Sequence, residues 1–197
     1  QKYFRSHEYY ASGDWRATWE LDGGGALMNQ GVHGLDLILH LMGPAKRVSA
    51  ICRRLVRNLE VEDTAVAIVE YANGALGVLE GTTSVTPGSG CEVEISGDDG
   101  TVGLSGDTIT KWKFPGSDEE QKAEDAAAEG TATDPLALAA TGHTEHIRDL
   151  CQAIIEDRDP AIPGREARRA VELIKAIYKS SREGGAPVEL PLSYVDD

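Results

Sequence analysis

From residue 45 to residue 114 the chain repeats one pattern, and that pattern restricts its fold more than any other feature. A short run rich in Val, Ile and Thr is followed by a tight-turn signal, again and again: KRVSAICRRLV, DTAVAIVEYA, ALGVLEGTTSV, CEVEISG, TVGLSG, TITKWKF. Branched side chains suit a pleated, half-buried surface, so these runs read as strands. Asn73-Gly74 predicts a type I′ hairpin, and Asp99-Gly100 and Gly106-Asp107 mark two more turns. Tight turns make neighbours antiparallel, so the expectation is a meander within one sheet. VELPL near the end adds a candidate edge strand.

Helices flank this block. The segment Ala26 to Met42 has helical length and stops at Gly43-Pro44. Ile147, Leu150, Cys151, Ile154 and Ile155 fall at helical spacing, and so do Ala167, Ala170, Val171, Ile174, Ile177 and Tyr178. Pro160 and Pro163 punctuate the join, and Gly184-Gly185 ends the last helix. Strands cluster and helices segregate, which predicts an α+β domain: an open, mostly antiparallel sheet with helices packed on one face. A single domain over 1–197 is expected. The opposite face is left needing cover, so at least a homodimer is expected. The acidic, Ala-rich stretch 115–140 reads as a solvated helix or arm and is assigned no chemistry.

Charge narrows the partners. Nineteen basic against 33 acidic residues give a net charge of −14. Such a chain repels phosphate backbones and anionic bilayers, so neither nucleic acid nor membrane is an expected partner. No apolar run approaches the ~18 residues of a membrane span. QKYFRSHEYY has no apolar core and does not read as a signal peptide. Cys52, Cys91 and Cys151 lie far apart without a C-x-x-C, which argues against a disulfide framework or a zinc ribbon. A reducing, cytoplasmic setting is expected. The chain contains no G-x-G-x-x-G, no P-loop, no H-E-x-x-H and no G-x-S-x-G. It opens abruptly in an aromatic stretch without Met, and is therefore expected to be a piece of a longer protein.

Chemistry concentrates in two places. Residues 1–20 hold Tyr3, Phe4, Tyr9, Tyr10, Trp15 and Trp19, which read either as packing on a core or as a pocket wall. On the first long helix, 100° per residue places Asn29, His33, Asp36 and His40 within an arc of about 60°. The rest of that helix is apolar nearly all round, so it reads as buried, with one narrow polar stripe. Three readings of the stripe stay open: a hydrogen-bonded core network, a metal site from His33, Asp36 and His40, and an acid/base site. A metal-dependent hydrolase or isomerase would follow from the second. His143 and His146 form a weaker pair, and His7 reads as structural.

At GGGALMNQGVHGLDL the sequence resembles the Gfo/Idh/MocA oxidoreductases, the glucose–fructose oxidoreductase and inositol dehydrogenase family. The likeness runs from RSHEYYASGDWRATWELDGGG through VEDTAVAIVEYANGALGVLEGTT to HIRDLCQAIIEDRDPAIPGREARRAVELIKAIYKSS. It implies the C-terminal, substrate-binding and oligomerising domain of a two-domain enzyme, without the N-terminal dinucleotide-binding domain. The implied activity is hydride transfer between NAD or NADP and a secondary alcohol of a sugar, sugar acid or polyol. The absent domain would hold most of the cofactor, and the implied assembly is a homodimer or homotetramer through the sheet. The family's D-x-x-x-H motif falls on Asn29 and His33, which makes His33 the matching acid/base residue. Asn29 departs from the aspartate of inositol dehydrogenase-like members. An amide exchanges no proton, so it would orient His33 or hold a hydroxyl. Asp36 matches the aspartate three residues beyond the histidine. Trp15 and Arg16, with Tyr10 and His143, are the implied substrate contacts. A non-catalytic oligomerisation or binding domain that keeps the fold is the alternative.

Overall fold

The computed structural model describes residues 1–106, 108–116 and 141–193. Most of the acidic stretch discussed above lies outside them.

The strands form two sheets, not one meander. The larger joins β1 (Ala45–Arg53), β2 (Thr64–Tyr71), β3 (Leu76–Thr82) and the short β7 (Val188–Glu189) in the order β3-β2-β1-β7. The smaller joins β4 (Glu92–Ser96), β5 (Thr101–Ser105) and β6 (Thr108–Lys113) in sequence order. All named pairings are antiparallel. The break falls after β3, where the link to β4 is no tight turn but a longer stretch carrying Pro87, Gly88 and Gly90. The N-terminal segment takes the place a continuing strand would fill. Tyr3 N–H donates to the Thr82 carbonyl (2.9 Å) and Arg5 N–H to that of Thr83 (2.9 Å).

The hairpin at Asn73-Gly74 also differs in type. A type I′ turn needs positive φ at both central residues. Here only Gly74 has it (φ 88°), and Tyr71 N–H donates to the Ala75 carbonyl across a three-residue loop.

The larger sheet alternates as a half-covered sheet should. Val48, Ala50, Ala65, Ala67, Val69 and Tyr71 are buried on one face. Ile51, Val66, Ile68 and Val78 stand exposed on the other. The cover on the buried face comes from two helices. The chain's short α1 (His7–Ala11) lies apart from them, while α2 (Val32–Met42) and α4 (Gly164–Arg182) supply Leu35, Leu39, Leu173, Ile174 and Ile177 to the core. Where β7 stops, Ser180 and Ser181 of α4 complete the β1 edge. Their hydroxyls accept the N–H groups of Ala50 (2.9 Å) and Cys52 (2.8 Å), which would otherwise be orphaned. Gly184 and Gly185 end α4 with φ of 73° and 93°, as their positions in the sequence lead one to expect.

The third helix, α3 (Thr141–Glu156), departs from expectation. Its apolar stripe does not join the core: Ile147, Leu150, Ile154 and Ile155 are all at least half exposed, and only Ala153 is buried. No helix of the described residues is long and apolar enough to cross a membrane.

Candidate functional site

The glycine run before the helix is there because the backbone passes too close to its neighbours for a side chain. A Cβ on Gly25 would lie 1.8 Å from the Glu62 carbonyl oxygen, and one on Gly24 2.3 Å from the Tyr178 hydroxyl. Glu62, only 4% exposed, then caps the helix from a distant part of the chain. Its Oε2 accepts the Gly25 N–H (3.0 Å), and its Oε1 accepts the Leu27 N–H (3.0 Å) and the Tyr178 hydroxyl (2.9 Å). Its backbone carbonyl accepts the Ala26 N–H (3.1 Å). Helix-start amides that need partners thus meet a carboxylate at the positive end of the helix dipole. Burial nevertheless pushes the Glu62 carboxyl above the usual range, against the pull of these hydrogen bonds.

The first turn, Leu27–Gly31, is a π-helix, with Gly31 N–H donating to the Ala26 carbonyl (2.8 Å). Single π-turns are uncommon and recur at functional sites. The wider turn takes Asn29 out of step with the helix that follows. Its Nδ2 donates to Asp22 Oδ1 (3.0 Å), and its Oδ1 accepts from Gln30 Nε2 (2.7 Å). Gln30 Nε2 also reaches the Tyr9 hydroxyl (3.2 Å), which accepts from Arg16 Nη1 (2.7 Å). A polar chain therefore runs Asp22–Asn29–Gln30–Tyr9–Arg16. Asp22 Oδ2 accepts the N–H of Ala17 (2.9 Å), a buried residue held at φ 55°.

His33, Asp36 and His40 share one face, as the spacing predicts, but that face is exposed, not buried. Only Gly34, Leu35 and Leu39 of α2 are fully buried. A mostly apolar sequence was not sufficient to bury the helix all round, because α4 and the sheet cover one side alone. The three polar residues line an open cleft of about 590 Å³ with Gly43, Ala161, Ile162, Glu166 and Arg169. His33 makes no hydrogen bond or ion pair among the described residues. Asn29 is not part of this cleft wall; it faces Asp22 and Gln30. Among the described residues no group of three or more His, Cys, Asp or Glu is placed to hold a metal ion, so the stripe does not form a ligand set.

The aromatic segment forms a cation-rich cluster. The Arg16 guanidinium lies 4.3 Å from the ring centres of both Tyr9 and Trp15. Arg5 lies over Tyr3 and Tyr9, and Arg57 over Phe4 and Tyr10. Tyr10 donates its hydroxyl to Thr83 (2.8 Å), and its half-buried ring packs against Arg57 and Tyr9. Trp15 and Arg16 thus join the Asn29 network, and Tyr10 borders it through Tyr9 (ring centres 5.3 Å apart). His143 is exposed on α3 and does not line the His33 cleft. Sequence reasoning missed Asp22, Gln30 and Glu62, and took Tyr9 only as one of the aromatic residues of a core or pocket wall. Their signal was adjacency: Gln30 follows Asn29 directly, and Glu62 opens the acidic pair before β2.

Comparison with known proteins agrees with this architecture. The family model described as the oxidoreductase family C-terminal alpha/beta domain, of the Gfo/Idh/MocA type, matches residues 2–190. Among solved structures, the WlbA dehydrogenase from Chromobacterium violaceum, in complex with NADH and UDP-GlcNAcA, is 35% identical with a TM-score of 0.78. That match covers 98% of this chain and 53% of that one. The WlbA dehydrogenase from Bordetella pertussis, also in complex with NADH and UDP-GlcNAcA, is 32% identical, with a TM-score of 0.78 over 97% of this chain and 52% of that one. The aldose-aldose oxidoreductase from Caulobacter crescentus shares the fold at 24% identity and a TM-score of 0.67, covering 90% of this chain and 51% of that one. The chain spans about half the length of these proteins. Fold and sequence match together show that the chain belongs to the Gfo/Idh/MocA oxidoreductases, as their C-terminal domain.

Proposed function

We propose that the chain is the substrate-side domain of an enzyme that moves a hydride between a secondary alcohol of a sugar, sugar acid or polyol and NAD or NADP. The dinucleotide is held mainly by a domain outside these residues, since the chain has no glycine-rich phosphate cradle. What the chain offers fits the proton side of such a reaction. When bound, the nicotinamide supplies the hydride acceptor or donor.

One observation carries the reading: His33 is a solvent-facing imidazole with no partner among the described residues, on a helix whose start is fixed by Glu62. An alcohol that gives up hydride must also lose its hydroxyl proton. His33 takes that proton at an imidazole nitrogen and returns it in the reverse direction. Asp36, three residues on, lines the same cleft. Asn29, its amide fixed between Asp22 and Gln30, holds a substrate hydroxyl and transfers no proton. Arg16 and Trp15 offer a stacked cation and ring to a sugar, with Tyr10 behind them; His143 would join only by approach of α3.

The relatives' complexes with UDP-GlcNAcA favour an acidic sugar carried on a nucleotide as the substrate class. The apolar outer face of the larger sheet supports a homodimer or homotetramer. That face alone favours the second reading, an oligomerisation domain without catalysis.

The test is His33→Ala in the protein that carries both domains, with UDP-GlcNAcA and NAD. Turnover should fall by about two to four powers of ten, the span of a lost general acid or base. The melting temperature should hold, because His33 is exposed and contacts no buried partner. Unchanged turnover would remove His33 from the chemistry.

A further inference from the structure

Trp19 stands between two hollows that adjoin the Asn29 network. One, of about 510 Å³, is lined by Gly23, Met28, Lys175, Lys179 and Arg182 among others. The second, of about 570 Å³, is lined by Cys52, Arg53, Arg54 and again Arg182. Trp19 and Tyr178 border both.

Two features of this groove are unlike the rest of the surface. The chain is strongly acidic, and most basic residues elsewhere pair with a carboxylate, as Arg47 does with Glu70 and Arg158 with Asp149. Arg53, Arg54 and Arg182 have no such partner among the described residues, although Glu60, Glu62 and Glu183 share the rim. Glu62 is turned inward and spent on Gly25, Leu27 and Tyr178. Glu60 holds Trp19 at the rim: its carboxylate accepts the Trp19 N–H (3.3 Å) and its carbonyl the indole N–H (3.1 Å). Arg53 Nη1 donates to the Cys52 carbonyl (2.8 Å) and Arg54 Nη1 to the Leu59 carbonyl, so these guanidinium groups line the groove held by backbone oxygens and not by a carboxylate. The indole, 46% exposed, is locked by these bonds and by edge-on contact with Tyr178 (5.1 Å, 89°). The Cys52 thiol is pushed up to about 11 by burial, so it forms an apolar wall and not a nucleophile.

Guanidinium groups without a carboxylate partner suit phosphate oxygens, which they grip in pairs. A rigid, exposed indole suits a planar base. The groove is of small-ligand size. It meets the candidate site at Gly23, whose neighbour Asp22 holds Asn29.

We infer that this groove binds the nucleoside diphosphate part of a nucleotide-linked sugar, with the base against Trp19 and the diphosphate on Arg53, Arg54 and Arg182. The sugar would then extend past Gly23 toward Asn29. The choice of a nucleotide-linked sugar rests on the function proposed above; the binding itself is measured without turnover.

The experiment is calorimetric titration of the intact protein with UDP, uridine and inorganic pyrophosphate, with no nicotinamide cofactor present. UDP should bind saturably and more tightly than either fragment. Arg53→Glu and Arg182→Glu, both at exposed positions, should each weaken UDP at least about tenfold, as expected for a lost charge-assisted contact. Trp19→Leu should weaken UDP and leave pyrophosphate unchanged. Circular dichroism checks that each variant folds, and Arg53→Gln and Arg182→Gln replace any charge reversal that does not. No saturable UDP binding, or wild-type affinity in both arginine variants, overturns the inference. Pyrophosphate binding as tightly as UDP overturns the base subsite. An inactive His33→Ala protein that still binds UDP would leave the groove standing, and an active enzyme that ignores Arg53 and Arg182 would sink the groove alone.

Discussion

Glu62 and Asp63 are neighbours in sequence, both nearly sealed from water, and their protonation pulls stability in opposite directions. Burial raises the Glu62 carboxyl above its ordinary value of 4.5. The folded state then holds a proton there that the unfolded state has released. The associated stability is full below 4.5 and is lost as pH rises through the raised value. Burial also acts upward on Asp63, but N–H donors from Leu55, Val56 and Arg57 and the Thr64 hydroxyl outweigh it and hold the carboxyl below its ordinary 3.8. Its contribution is present above 3.8 and disappears as pH falls through the depressed value. Denaturation series across the acid and neutral range should separate the two. Glu62→Gln should flatten the loss of stability on the rising side, whereas Asp63→Asn should destabilise most at neutral pH. Glu62→Ala leaves two helix N–H groups and the Tyr178 hydroxyl short of an acceptor, and should cost about 3 kcal/mol by chemical denaturation. None of this was legible from the acidic pair itself. A carboxylate in sequence is the same letter whether it is solvated or capping a helix 37 residues away.

At the scale of elements, the stops were readable and the partners were not. Gly43 and the Gly184-Gly185 pair end their helices in the left-handed region, which β-carbons disfavour. Both had been expected from type and position alone. The π-turn at Leu27–Gly31 carries no comparable mark, because it is imposed by the close passage of Gly24 and Gly25 against Glu62 and Tyr178. Gly25→Ala would push a methyl into the Glu62 backbone and should lower both melting temperature and turnover. The periodicity of α3 and α4 is equally clear in sequence, yet only α4 is buried. Thermal melting should expose the difference: Ile174→Ala in α4 should cost about 2–5 kcal/mol, whereas Ile154→Ser in α3 should stay within about 0.5 kcal/mol for this domain alone.

Across the whole molecule, the outer face of the larger sheet is the feature that asks for a partner. Ile51 pairs with Val66 across β1 and β2, and Ile68 with Val78 across β2 and β3, all exposed. Leu76 adds to the patch at 75% exposure. We propose that copies of the chain meet on this apolar face. Ile68→Asp with Val78→Asp should reduce the mass seen by light scattering while the circular dichroism spectrum holds. An unchanged mass would overturn assembly through this face.

Sequence alone determined the strands, the helix limits, the helical face shared by His33, Asp36 and His40, and the family. Each is encoded locally, in periodicity, turn residues and a continuous motif. The tertiary structure alone decided that the strands divide into two sheets, because the N-terminal segment takes hydrogen bonds at the end of β3 that no local pattern assigns. It also decided that the His33 face is open to solvent. Burial depends on what covers a helix, and a helix carries no record of its cover in its own residues.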